Sequence, residues 1–263
     1  MSASSPLSVR LAASEAEIEA AQRLRYRVFV KELGGDGEMV DHARGLERDA
    51  FDPVVDHLLL LDSRRSPGDE VVGVYRLMTG EKARAFGRFY CDAEYDLDVL
   101  RASGRSLLEL GRSCVDADYR GGTGMFLMWN GLAEYVLSRD IEIMFGVASF
   151  HGLDIPALAP ALSWLHHHHL APEALRPRAR PEGFQRMDLT PPGEIDRREA
   201  MAAMPALIKA YLRLGGTVGE GAYLDREFNT TDVFLLMDTA AMSAKHRGFY
   251  TRQHEAGAPP PRG

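Results

Sequence analysis

The chain has 263 residues, 45% of them hydrophobic and 26% charged, which is the make-up of a globular protein with a full core. Its 31 basic and 38 acidic residues leave a net charge of −7, which argues against nucleic acid as a partner. The two cysteines, Cys91 and Cys114, lie far apart with no C-x-x-C, as in a reduced cytoplasmic protein; the N-terminal stretch lacks the apolar segment of a signal peptide, and no run of about 18 apolar residues is present to cross a bilayer.

Residues 7–12 alternate as a first strand. Ser14 caps the helix that follows, with Glu17 as capping-box partner, and the helix runs to about Glu32 on a stripe of Ile18, Ala21, Leu24, Val28 and Phe29. Arg25 and Phe29, four apart, share a face. An arginine there is a snorkelling surface residue unless a ligand faces it. Residues 34–50 form a polar loop rich in Gly and Asp, long enough to be a binding loop or lid. From Glu32 to Asp56 eight carboxylates stand against Arg44 and Arg48, a net of −6, which suits a cationic substrate as well as plain solvated surface. Residues 54–61 and 70–79 read as an antiparallel hairpin. Arg76 falls in the second strand on the face of Val72 and Val74, a position that calls for a ligand or a carboxylate. Residues 84–97 are aromatic and mixed with no clear period, and 98–103 form a short helix ended by Gly104.

The stretch from Leu107 to Leu137 carries the chemistry. A strand over 106–115 bears Glu109 and Arg112, a glycine turn follows at 119–124, and a helix then begins. A strand that ends in a glycine turn before a helix N-terminus is a ready anion site. Strict pleating puts Glu109 and Arg112 on opposite faces, so a shared site requires a bulge, with Gly111 the natural place. The helix 124–138 is apolar nearly all round, which predicts burial; its Met125, Met128 and Trp129, with Phe145, are candidates for lining an acyl tunnel or are plain core. Residues 141–149 form the next strand and 154–165 a helix, after which come four histidines, His166 to His169, without the spacing of metal ligands; no metal is expected. Arg176, Arg178 and Arg180 alternate in an extended basic strip. Residues 184–189 read as a strand, 191–198 as linker, and Pro205 opens a helix stopped by Gly215 and Gly216. Final strands cover 217–223 and 232–238. From Ala244 the charge is +3 (Lys245, Arg247, Arg252 and Arg262 against Glu255), and 256–263 has the composition of a disordered tail. The pattern is α+β, one domain over 1–255 with a central, mostly antiparallel sheet flanked by helices.

These residues resemble the GNAT superfamily of N-acyltransferases. The front half is similar to acyl-homoserine-lactone synthases: LRYRVFV supplies Arg25 and Phe29, ERDAFD supplies Asp49 and Asp52, VVGVYRLM supplies Arg76, and LELGRSCV supplies Glu109 and Arg112. Gly34 and Gly35 stand where those synthases carry a tryptophan. Most of residues 20–238 is more similar to the ornithine-acyl carrier protein N-acyltransferases of ornithine-lipid synthesis, in ELGRSCVDADYRGG, VASFHGLD, SWLHHHHLAPEALRPRA and PALIKAYLRLGG…FNTTDV.

The resemblance implies transfer of a (3-hydroxy)fatty acyl group from acyl carrier protein to the α-amine of L-ornithine, giving lyso-ornithine lipid by direct attack on the thioester. Glu109 is the implied base and Arg112 a second catalytic group, while Arg25, Phe29, Asp49, Asp52 and Arg76 are implied around the substrate. Asp49 and Asp52 would hold cationic groups or pin Arg25; Arg76 and Arg112 would hold a carboxylate or lock the acidic loop. The superfamily's acyl-CoA signature, Q/R-x-x-G-x-G/A, is broken here by Thr123 in RGGTGM. Tyr119, Arg120, Gly121, Gly122 and Gly124 are therefore expected to receive the 4′-phosphopantetheine arm of the carrier protein, with no cofactor bound by the chain itself. A lipid-like product and the basic C-terminal stretch imply peripheral contact with the inner face of the membrane. The competing readings are a lactone-type synthase and a non-catalytic acyl-chain or membrane-binding protein.

Overall fold

A computed structural model of the chain describes residues 5–37, 40–120 and 122–240. Gly121, the basic stretch from Ala244 and the tail at 256–263 lie outside the described residues. The sheet is built from β1 (Leu7–Leu11), β2 (Asp56–Asp62), β3 (Val71–Thr79), β4 (Leu107–Val115), β5 (Ile143–His151), β6 (Thr217–Asp225) and β7 (Thr230–Asp238). Their order is β1–β2–β3–β4–β5–β7–β6, with short pieces at Arg178–Ala179, Tyr95–Asp96 and Phe184–Gln185 extending the β6 edge. Neighbours among these seven strands are antiparallel except β4 and β5, which run parallel. The crossover that joins those two is α3 (Gly122–Ser138), as a parallel pair requires.

Helix α1 (Glu15–Arg25) begins at Ser14, whose side chain accepts from the Glu17 N–H, but the expected capping box is only half formed: the Glu17 carboxylate takes the Ala13 N–H at 2.7 Å and pairs with Arg10 instead. The next turns, Tyr26–Glu32, are wider: the Leu33 N–H reaches back five residues to the Val28 carbonyl at 3.1 Å. Gly34, at φ 75°, ends the helix, and the Gly35 N–H returns to the Phe29 carbonyl at 2.8 Å. The two glycines thus close a widened helix end that carries Phe29 and Leu33.

One face of the sheet packs against α3, α4 (Ile155–His169) and α6 (Ala206–Arg213), around Leu108, Leu110, Met144, Leu165, Ile208, Val233 and Leu235. The other covers Phe145, Phe234 and Leu236 with the segment that starts at α2 (Gly80–Phe86) and passes through Phe89, Cys91, Tyr95 and Leu97. The third patch seats α1 on Leu59, Val74 and Cys114.

Several expectations need correction. Helix α3 is one-sided rather than buried all round: Met128, Leu132, Tyr135 and Val136 are buried, while Phe126 and Leu137 are exposed. The four histidines belong to α4, because the turn after Trp164 continues to His169; His168 packs on Trp164 at 4.0 Å and His167 Nε2 meets the Thr190 carbonyl at 3.1 Å. Residues 184–189 pair only at Phe184–Gln185. The linker at 191–198 contains the start of α5 (Arg197–Ala203), capped by Asp196. The arginines at 176–180 are tied down one by one: Arg176 to the Ala171 carbonyl, Arg178 to Glu220 and Arg180 to the Asp92 carbonyl.

Candidate active site

Strands β4 and β5 are paired only where Leu107, Leu108 and Glu109 face Ile143, Met144 and Phe145. Beyond that they part, although each continues for several residues. Gly146 stands at the fork: a Cβ there would overlap the Leu110 carbonyl oxygen, so only glycine lets the strands meet before they splay. A cavity of about 480 Å³ fills the opening. It passes through the sheet, since consecutive residues Met144 to Ser149 all line it. Register fixes what each half presents. Glu109, Phe145, Val147, Ser149 and Asp232 share one face; Leu110, Met144, Ala148, Leu235 and Met237 share the other, with Leu207 and Tyr211 added from α6. One mouth is charged and the other is apolar.

Glu109 and Arg112 do reach one cavity, and a bulge brings them there, one residue later than expected. The β3–β4 register passes from Arg76↔Gly111 to Val74↔Cys114, so Arg112 and Ser113 together oppose Tyr75. The left-handed residue is Arg112, at φ 48°, not Gly111. This is a costly conformation for a side chain of that size, and its contacts hold it. Arg112 Nε donates to Glu47 Oε1 at 3.0 Å and Nη2 to the Tyr90 hydroxyl at 3.2 Å, while the guanidinium lies 4.6 Å from the Tyr90 ring centroid. Gly111 has nothing within 4 Å of its Cα substituent position and leaves the site open.

Glu109 is 3% exposed. Its two oxygens accept the backbone N–H groups of Tyr90 (2.8 Å) and Cys91 (2.6 Å), at the start of the turn Tyr90–Ala93. Burial pushes its carboxyl up; the Cys91 thiol and those two N–H groups oppose the shift without cancelling it. The result is a carboxylate on the cavity wall with a raised pKa, a better proton acceptor than an ordinary one and so a candidate general base. The thiols are unsuited to attack. Burial pushes Cys114 up to about 12, and burial with the Glu109 charge raises Cys91 well above the ordinary range.

Behind the cavity wall lies an ion web. Arg25, fully buried, gives Nε to Glu47 Oε2 (2.5 Å), Nη2 to the Glu47 carbonyl (2.6 Å), and both Nη atoms to Asp52 (2.7 Å each). Arg76 Nη1 reaches Asp49 Oδ1 at 2.6 Å and Asp52 Oδ1 at 3.1 Å, the carboxylates its odd position called for. Arg76, Glu47 and Phe29 line the cavity. Arg25, Asp49 and Asp52 do not: they pin one another, and through Glu47 and Arg76 they hold the wall.

The described residues of the glycine turn lie off this cavity. Tyr119 donates its hydroxyl to Asp62 Oδ2 at 2.6 Å, Arg120 pairs with Glu32 and gives Nε to the Val115 carbonyl at 3.0 Å, and Gly122 is left-handed at φ 57°. Gly124 lets the first turn of α3 sit on Leu60 and the Tyr119 carbonyl, each 3.1 Å from where a Cβ would be. A small void between Met125, Met128, Trp129, Tyr75 and Ser113 adjoins the apolar half, sharing Tyr75 and Ser113 with the main cavity, whose own wall includes Phe145.

Sequence reasoning missed Glu47, Tyr90, Glu94, Asp225 and Asp232, all on the cavity wall. Glu94 sits in the aperiodic aromatic stretch. Asp232 left a trace: alternation puts it on the face of Phe234 and Leu236, as odd a place as that of Arg76.

Comparison with known proteins agrees with this geometry. Residues 24–130 match an acetyltransferase (GNAT) domain. Among solved structures, the acyl-homoserine lactone synthase BjaI superposes with a TM-score of 0.52 at 16% identity, covering 97% of this chain and 94% of that one. FeeM, an N-acyl amino acid synthase from uncultured soil microbes, gives 0.51 at 11% identity, covering 92% and 97%. Those likenesses speak for the fold, a GNAT sheet splayed beside Glu109; the domain match and the relatives that follow make this an acyltransferase. The chain is 64% identical over 257 residues to the L-ornithine N(alpha)-acyltransferase of Rhodobacter capsulatus (96% of this chain, 98% of the relative) and 42% identical to that of Brucella abortus (93% and 88%). It belongs to the family of L-ornithine N(alpha)-acyltransferases.

Proposed function

We propose that the protein transfers a fatty acyl group from an acyl carrier protein to the α-amine of ornithine, giving the single-chain precursor of an ornithine lipid. The observation that carries this reading is the through-sheet cavity, charged at one mouth and apolar at the other. A polar amino acid and an acyl chain can enter it from opposite faces and meet in the splay. The names of the relatives supply ornithine.

In this account the acyl chain lies among Leu110, Met144, Leu235 and Met237, and the amino acid lies toward Glu109 and Arg112. The α-amine is mostly protonated near neutral pH. Glu109, directly or through a water, takes its proton. The nitrogen then attacks the thioester carbon; the C–N bond forms, the C–S bond breaks, and the pantetheine thiolate leaves, taking up the second proton that the nitrogen sheds as it becomes an amide. Arg112, held by Glu47 and Tyr90, faces the substrate carboxylate. The bulge takes Arg112 and Ser113 out of the β3 ladder, and backbone N–H groups freed there serve the oxyanion. The 4′-phosphopantetheine phosphodiester rests against the turn at 119–124, where the α3 N-terminus and a left-handed Gly122 offer N–H groups.

The donor is the part to test. Purified protein is given ornithine with either 3-hydroxyacyl carrier protein or the matching acyl-CoA, and N-acyl-ornithine is followed by mass spectrometry. Turnover from the carrier protein at least tenfold above that from acyl-CoA supports the reading; equal or greater turnover from acyl-CoA removes the carrier protein from it.

A further inference from the structure

At the charged mouth three carboxylates converge, and none of them is paired with a cation among the described residues. Glu94 follows the turn that holds Glu109, Asp232 begins the inward run of β7 opposite Ser149, and Asp225 ends β6. One oxygen of each lies within 4.8 Å of the others. Glu94 and Asp232 are 5% and 4% exposed and both line the cavity, and Glu94 Oε2 and Asp232 Oδ1 have no hydrogen-bond partner among the described residues. Native proteins rarely leave a buried carboxylate oxygen unsatisfied, and two in one place mark a missing partner. Ser149 and Thr230 beside Asp232, and the N–H groups of Glu227 and Phe228 on Asp225 Oδ1, do not supply the missing charge. Arg112 acts on both acids without a hydrogen bond to either, its Nε lying on Glu47 and its Nη2 on the Tyr90 hydroxyl.

We infer that Glu94 and Asp232, with Asp225 at the rim, form the subsite that receives the ω-ammonium of the acceptor amino acid. The inference rests on the proposed acylation and adds what selects the acceptor. An alkylammonium offers three N–H donors on a compact charge, which matches three converging carboxylate oxygens. Glu109 and Arg112 act electrostatically on Glu94, so this pocket adjoins the base and the carboxylate-binding arginine. An α,ω-diamino acid laid between them presents its α-amine to Glu109 while the far amine is held as a protonated, non-nucleophilic ammonium. Burial and the neighbouring carboxylates (Asp232 and Asp225 on Glu94, Asp225 on Asp232) raise Glu94 and Asp232, a cost that a cation between them relieves.

The test compares wild type with Glu94→Gln and Asp232→Asn in two assays: calorimetric binding of ornithine, and acyl transfer to ornithine against norvaline, which has the same carbon skeleton and no δ-amine. The expected result is a roughly 10- to 100-fold weaker binding of ornithine in each variant. The ornithine-to-norvaline ratio of kcat/KM should fall by a similar factor. A ratio within twofold of wild type in both variants overturns the assignment. Ornithine binding that vanishes with chelator and returns with Mg²⁺ or Ca²⁺ also overturns it, in favour of a metal site. Wild type that binds ornithine through these residues but acylates neither amino acid would sustain the subsite and sink the proposed reaction.

Discussion

Arg25→Met removes the centre of the buried ion web while keeping a side chain of similar length. Four hydrogen bonds disappear, and two carboxylates, Glu47 and Asp52, stay in the interior. Breaking a buried pair from one side costs about 3–5 kcal/mol. Here each acid keeps a cation: Arg112 Nε at 3.0 Å on Glu47, and Arg76 Nη1 at 3.1 Å on Asp52, which also accepts from Gln22 Nε2 at 3.0 Å. That places the cost at the low end, about 3 kcal/mol, or a Tm roughly 6–12 °C lower for a domain of this size. Arg25→Lys keeps the charge but loses the fork, so it should fall between the two. Burial alone would push the Asp52 carboxyl up; Arg25's hydrogen bonds and charge win and hold it well below its ordinary value. The stabilisation is therefore present above about pH 4 and lost as pH falls through the folded value, so the two melting curves should converge in acid. Thermal melts at several pH values check this, with kcat/KM measured well below the lower Tm. A Tm shift under 2 °C together with a large loss of ornithine turnover would refute the structural role and restore Arg25 to direct substrate contact.

Glu109→Gln should lower kcat by about 100- to 10,000-fold. Since the base acts ionised and its pKa is raised, wild-type turnover should climb with pH through that value, and the variant should lose that limb; an unaltered pH profile with residual activity would count against Glu109 as base. In Asp232→Asn the sign is opposite to that of Asp52. The folded protein holds the Asp232 proton more tightly, so wild-type stability declines as pH rises above the ordinary Asp value of 3.8, and the variant should gain Tm relative to wild type over that range. A variant uniformly less stable at every pH would contradict this. Gly146→Ala forces the two strands apart at the fork; overpacking of this kind costs about 1–3 kcal/mol and should reduce turnover beyond the loss of folded protein. Wild-type Tm and activity in that variant would show that the contact is not tight.

Much of the architecture was legible because the signals were local. Ser14 announced α1, Gly215 closed α6, and the hairpin at β2–β3 showed in its apolar runs. Charges on apolar faces were the best guide to the site: Arg76 led to its carboxylates, and Asp232 would have led to the acidic mouth had the same rule been applied there. What sequence could not show was decided by tertiary packing. The bulge sits at Arg112 because Glu47 and Tyr90, distant in the chain, hold that side chain; local propensity favoured Gly111. Arg25 read as a snorkelling surface residue or a ligand contact, and only the folded loop at 47–52 shows that it is buried against two carboxylates. Glu94 lies in an aperiodic segment whose conformation is set by Glu109 binding the Tyr90 and Cys91 N–H groups, a contact no sequence window contains.

The central claim, that one cavity delivers the α-amine of ornithine to an acyl thioester, is tested most directly by locating the acyl group on the product. Wild-type protein, 3-hydroxyacyl carrier protein and ornithine labelled with ¹⁵N at the α-amine are incubated, and the product is fragmented by mass spectrometry. The account predicts an amide on the labelled nitrogen and a free, unlabelled δ-amine. An amide on the unlabelled nitrogen, or no N-acyl-ornithine at all, would contradict it.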